Sequence, residues 1–257
     1  MSISEHAIED VIAQSNSRFD LWVHFINLNQ IQHMAEIGVY RGDFAAKMLK
    51  ECPSLKKYYM IDPWRHLDDW NKPANKSDAL FEQFFSEAKA KTDFAAEKRI
   101  ILRGTTTEVI DEIPDGALDF AYIDGDHTLR GITIDLIRVY PKIREGGWLA
   151  GDDFSQTIWQ HNTNFEPTLV FPFAVYFAEA VGARIYALPY SQFLLEKQRG
   201  QAFSFIDFTG QYHTLSLREQ FLPRKLLALK ISKAFPLTRK MAKRMKNRIH
   251  NKKKRHL

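Results

Sequence analysis

The chain has one cysteine, Cys52, in 257 residues. It can form no internal disulfide framework and no CxxC or zinc-knuckle site. Its start, MSISEHAIEDV, lacks a basic n-region and an apolar h-region, so no secretory signal is expected there. Long apolar runs are missing too. The most apolar stretch, 168–190, is broken by Pro172, Glu179, Arg184 and Pro189, and falls short of the ~20 clean residues that a membrane span needs. A soluble protein of a reducing compartment, the cytoplasm, is expected. Acidic residues are absent from Leu222 to Leu257, where 14 Lys and Arg stand alone. With 36 basic and 31 acidic residues in the whole chain, 1–221 holds 22 against 31. An acidic body of residues 1–221 therefore carries a basic tail, 222–257.

What is present is the composition of a folded domain: 45% hydrophobic, 26% charged and 13% aromatic residues. In the tail Leu237, Met241, Met245 and Ile249 recur every four residues between Arg and Lys, the pattern of a helix with a narrow apolar stripe. Such an arm suits an anionic membrane surface, and would place the protein peripherally at its inner face; nucleic acid is the less favoured partner. A solvated tail or a helix docked on a partner subunit are the plain alternatives.

Along the body, apolar runs alternate with helical patterns. Residues 3–30 read as one or two amphipathic helices. Strands are expected at 33–39, 57–64, 99–104, 117–127 and 146–154, with helices at 43–52, 79–91, 131–144 and near 173–181. The segments ARIYALPY, SQFLLEK and AFSFIDF read as closing strands. This alternation predicts an α/β protein with a doubly wound, mostly parallel sheet. Ligands of such sheets sit beyond the carboxyl ends of the strands, where the strand order reverses.

The strand ends carry the candidate chemistry. Glu36, Gly38 and Gly42 combine an acid with glycines where the chain must turn and let a ligand approach its backbone. The spacing is neither GxGxxG nor a P-loop. Asp62 ends the next strand 26 residues after Glu36, where a carboxylate can accept both hydroxyls of a ribose, with Pro63 and Trp64 beside the base. Turn and cap chemistry would use the same residues, and Trp64 would serve equally in a core. Asp124, Asp152 and Asp153 end strands four and five. If these are neighbours about 4.8 Å apart, the acids converge, which is unfavourable without a cation between them. Carboxylates without a cysteine suit Mg²⁺, or Mn²⁺ or Ca²⁺, better than zinc. His127, three residues after Asp124, is placed as a general base at the rim. The loops 64–77 and 154–167 bear Trp64, His66, Trp159 and His161, aromatic and polar groups suited to stacking on a sugar or another ring.

The set EIGVYRG, MIDPW and LDFAYIDGDHTLRGITIDLIRVYPKIREGGWLAGDD resembles class I S-adenosylmethionine-dependent methyltransferases, and within them the macrocin-type sugar O-methyltransferases. The similarity spans about residues 33–195. It implies a Rossmann-like seven-stranded sheet of order 3-2-1-4-5-7-6, the last strand antiparallel. It also implies S-adenosylmethionine at Glu36, Gly38, Gly42 and Asp62, with Gly104 and Thr105 near the adenine. A divalent metal would fall on Asp124, Asp152 and Asp153, with His127 as base. The run Gly104-Thr105-Thr106-Thr107 departs from relatives that place an acid and a serine there. The implied activity is metal-dependent methyl transfer to a hydroxyl of a sugar or glycan, lipid-linked if the tail binds a membrane. A nucleic-acid methyltransferase and a non-catalytic cofactor-binding module are the alternatives.

Overall fold

The computed structural model describes residues 4–212, 217–223, 226 and 227. The tail stripe from Leu237 to Ile249 lies outside them. The elements follow in the order α1 (Glu5–Ala13), α2 (Arg18–Leu28), β1 (His33–Ile37), α3 (Asp43–Glu51), β2 (Lys57–Asp62), α4 (Asp78–Lys91), β3 (Arg99–Arg103), α5 (Thr106–Val109), β4 (Leu118–Ile123), α6 (Leu129–Val139), β5 (Ile143–Gly151), α7 (Val170–Ala180), β6 (Arg184–Leu188), β7 (Gln192–Lys197), β8 (Ser204–Asp207) and α8 (Leu217–Gln220). They form one sheet of order β3-β2-β1-β4-β5-β7-β6-β8.

The first five strands pair in parallel, and β7 enters antiparallel between β5 and β6. The seven-stranded order is as expected; β8 extends it by pairing in parallel with β6, Arg184 opposite Ser204. Of the three closing segments read in the sequence, AFSFIDF is this additional edge. Its end is fixed by the Asp207 carboxylate, which accepts amides of Thr209, Gly210 and Tyr212.

Side chains alternate along the strands and so feed two cores, one on each face of the sheet. Met34, Met60, Phe120, Tyr122 and Trp148 point into one. Ala35, Ile61, Ala121, Ile123 and Leu149 point into the other, against Ile132 and Leu136 of α6 and Ala174 of α7. The N-terminal helices belong to the first core. In α2 Leu21, Trp22, Phe25 and Ile26 share one buried face, and Trp22 lies 5.5 Å from the Phe120 ring. Emptying such a site by Trp→Ala costs about 3–5 kcal/mol. The break between α1 and α2 is set by Ser17, whose hydroxyl caps α2 at the Asp20 amide. Because α2 packs against the sheet, its first turn is carried to the strand ends.

Candidate active site

The strand order reverses between β1 and β4, the place where sheets of this kind bind their ligands. The ladders run past the last paired residues: Asp124 N–H donates to Ile37 O at 2.7 Å, and Asp152 N–H to Ile123 O at 3.0 Å. Asp124 and Asp152 therefore stand at adjacent strand tips, as the spacing anticipates. Gly38, at φ 90°, passes so close to this turn that a Cβ would sit 2.2 Å from Asp124 O. Only glycine fits. Gly42 serves a different end: it caps α3 at φ 75°, and its missing Cβ makes room for Ala88 of α4.

The acids Glu36 and Asp62 at the ends of β1 and β2 are held by the chain's own neutral donors. Glu36 is buried and accepts the Tyr58 hydroxyl at 2.7 Å. Burial pushes its carboxyl well above the ordinary range, against the pull of that hydrogen bond. Asp62 accepts three backbone amides, Val39 at 2.9 Å and Tyr40 and Trp64 at 2.8 Å. Its burial raises the pKa, with those amides opposing. A carboxylate offers about four acceptor positions, so the ribose contact expected of Asp62 would have to share a group that already ties the glycine loop to β2. Trp64 is a correction. It is fully buried, gives its indole N–H to Tyr40 O at 2.7 Å, and packs 5.0 Å from Phe85, so it is core and not acceptor surface. Pro63 beside it is half-buried. After β3, Thr105 forms a capping box with Glu108, which takes both its amide and its hydroxyl. Gly104 lies against Val109, where a Cβ would be 2.5 Å from Cγ1.

At the ends of β4 and β5 the three aspartates take cationic partners. Arg18, the first residue of α2, places Nη1 against Oδ2 of both Asp124, at 3.1 Å, and Asp152. Asp153 instead faces His127 Nδ1, while His127 Nε2 lies 3.4 Å from Asp124 Oδ1. Asp153 has φ 58°, in the left-handed region that Asp tolerates better than most residues. Burial favours the neutral His127 ring, but the carboxylates of Asp153 and Asp124 outweigh it and hold the pKa at about 10. Asp153 is correspondingly pulled down to about 2, against burial, by His127, Gln160 and His161. Gln192 closes the cluster, donating to Asp152 Oδ1 at 2.6 Å and accepting Trp22 Nε1 and the Tyr122 hydroxyl. Among the described residues no three His, Cys, Asp or Glu side chains form a ready cage for a metal. The expected triad is divided: two acids meet on Arg18, and the third turns to His127.

The two loops fold onto each other beside this cluster. Lys72 is buried, with Nζ donating to Glu166 O at 2.8 Å and Thr168 Oγ1 at 3.2 Å. Thr168 donates on to Gln160, whose amide reaches Asp153 Oδ1 at 2.7 Å. His161 acts electrostatically on Asp153. Trp159 gives its indole N–H to Gln220 O and packs against Phe221, and His66 bonds Lys76 O at the start of α4. Sequence reasoning missed Arg18, Lys72, Gln160 and Gln192. Arg18 sits 106 positions from Asp124 in a helix that reads as packing, and carries no signal. Gln192 has one: it is a polar residue directly ahead of the apolar run Phe193–Leu195.

A family described as a methyltransferase domain matches residues 35–154, from β1 through the end of β5. No curated protein matches the sequence. Among solved structures the chain is similar to the O-methyltransferase TomG of Streptomyces achromogenes in complex with SAM, which is involved in tomaymycin synthesis. The TM-score is 0.52 at 14% identity, over 78% of this chain and 92% of that one. An O-methyltransferase from Bacillus cereus in complex with SAH gives 0.52 at 14%, over 76% and 91%. A Staphylococcus aureus protein assigned as a caffeoyl-CoA O-methyltransferase gives 0.54 at 14%, over 75% and 89%. Residues 35–154 thus resemble a methyltransferase domain, and the chain shares the Rossmann-like fold of these solved structures.

Proposed function

We propose that the protein is an S-adenosylmethionine-dependent O-methyltransferase, with the cofactor in the crevice between β1 and β4 and the acceptor over Asp124, His127 and Asp153. The observation that carries this reading is the methyltransferase-domain match across the five strands whose ends build the crevice. The two O-methyltransferases solved with SAM or SAH share the fold. Most of the rate would come from holding acceptor oxygen and sulfonium methyl in line, worth ~7–11 kcal/mol at best.

We propose further that a divalent ion, Mg²⁺ by preference, is held by Asp124 and Asp152 with water completing its shell, since the third expected acid, Asp153, is turned to His127. Asp124 and Asp152 direct hard carboxylate oxygens at one cationic point, where the Arg18 guanidinium now stands in. When bound, such an ion lowers the pKa of an acceptor hydroxyl. His127 takes the acceptor proton as base, in its neutral form. With a pKa of about 10 that form is scarce at neutral pH, so turnover should climb on the alkaline side. Asp153 orients the ring.

The acceptor we propose is a sugar or glycan presenting neighbouring hydroxyls, with Trp159 and His161 on the loop that borders the cluster. The basic segment 222–257 would bring the enzyme to a lipid-linked acceptor at an anionic membrane. No described helix is long and apolar enough to cross one. Labelled-methyl transfer from S-adenosylmethionine, screened over glycans and vicinal phenols with Mg²⁺ or EDTA, tests the reading. Transfer to glycans that EDTA abolishes supports it. Transfer to phenols alone would move the acceptor class, and transfer to nothing without cofactor binding would end the methyltransferase reading. Deleting 222–257 should abolish sedimentation with anionic liposomes.

A further inference from the structure

Arg18 is the one cation that touches both Asp124 and Asp152 among the described residues. It does not belong to the strand-end loops. It opens α2, after the Ser17 cap, and α2 is fixed to the same cluster from behind by the Trp22 N–H on Gln192. The junction before it is held as well, since the Tyr190 hydroxyl donates to Ser15 O at 2.8 Å. The guanidinium is thus presented to the acids by three anchored residues, not by a free surface side chain. Its own charge is reinforced there: burial works against it, but Tyr122 and Asp124 raise its pKa. Two carboxylates at adjacent strand tips repel unless a positive charge lies between them. A guanidinium and a divalent ion would each meet that need, and two such cations against the same Oδ2 atoms would repel one another.

We propose that Arg18 is a built-in counter-cation that competes with a divalent metal for Asp124 and Asp152, so that metal loading requires the Arg18 side chain to leave. This rests on the metal reading above. It makes the N-terminal helix part of the active site: with Arg18 in place the acids stay paired and the folded site is stable without metal, and the metal affinity of the protein is set partly by residue 18.

Titration of Mn²⁺, followed by electron paramagnetic resonance, into the full-length protein and into Arg18→Met and Arg18→Ala tests the competition without any turnover. Methionine keeps an apolar stem for packing and removes the charge. Both variants should bind Mn²⁺ about tenfold more tightly or better. They should also melt at a lower temperature than the parent in EDTA and regain that loss in Mn²⁺, but not in NaCl of equal ionic strength. A purely structural arginine would give the loss without the rescue. Equal or weaker Mn²⁺ binding by both variants, with the parent binding normally, would overturn the competition and leave the metal reading intact. No Mn²⁺ binding by the parent or either variant at millimolar ion would overturn both.

Discussion

Two sets of acids stand at the strand ends of one sheet and are satisfied by opposite means. At the end of β2 Asp62 is neutralised by geometry: three backbone amides from the loop and from β2's own end point at it. At the ends of β4 and β5, where we propose the acceptor, Asp124, Asp152 and Asp153 are neutralised by charge, through Arg18 and His127. Amides are part of the fold and cannot leave. Cationic side chains can exchange places with another cation or give up a proton. The first set therefore builds a fixed seat, and the second an adjustable one where chemistry can occur.

The sharpest way to break this contrast is to remove the mobile proton. His127→Gln should lower kcat by ~10²–10⁴ while S-adenosylhomocysteine affinity stays within a few-fold. An unchanged rate would take the ring out of the chemistry. The parent's rate should rise with pH toward about 10, the pKa that Asp153 and Asp124 impose; a plateau by pH 7 would show that the ring loses its proton far earlier. Asp124→Asn should cost about 100-fold in turnover, again with cofactor affinity nearly preserved. Loss of cofactor binding there would erase the distinction between the two sets.

The opposite change probes the fixed seat. Asp62→Ala strands three amides and should cost on the order of 3 kcal/mol of stability, read by denaturant unfolding. Cofactor affinity should fall with it, while kcat at saturating cofactor persists. A variant as stable as the parent would show that the amides find other partners. The smallest effect concerns Asp135 of α6, buried with only the Thr106 hydroxyl donating to it at 2.5 Å. Burial lifts its carboxyl to about 7, against that hydrogen bond. The folded state then binds a proton that the unfolded state releases near pH 4. Stability from this group is present below that pH and is lost as pH rises toward about 7. Asp135→Asn should be more stable than the parent above pH 7, with the gain shrinking toward pH 4. A gain independent of pH would contradict the assignment.

How much of this was legible in the sequence follows from distance along the chain. The alternation of apolar runs and helices is local, so β1 to β5, α3 and α4 are found within a few residues of their observed ends, whereas α6 stops at Val139 and not at 144, and the single-turn α5 was too short to show a period. The acids at the strand tips are readable because strand ends are. Arg18 is not, because nothing near Ser17 announces that packing Trp22 against Phe120 will deliver the guanidinium to residues more than a hundred positions away. Trp64 misled for the converse reason: aromatic residues after a strand suit a ligand and a core equally, and only the fold buries it completely. The division of the three aspartates follows their partners, Arg18 brought in by α2 for two of them and His127 for the third, and no local pattern around residue 152 announces those partners.

The central claim is that the cofactor seat is independent of the cations on the acceptor side. Calorimetric titration of S-adenosylhomocysteine into the protein, once in Mg²⁺ and once in EDTA, tests it directly. The account predicts binding in both with affinities within a few-fold. Binding in Mg²⁺ alone would contradict the separation of the two seats, and no binding in either would contradict the methyltransferase reading itself.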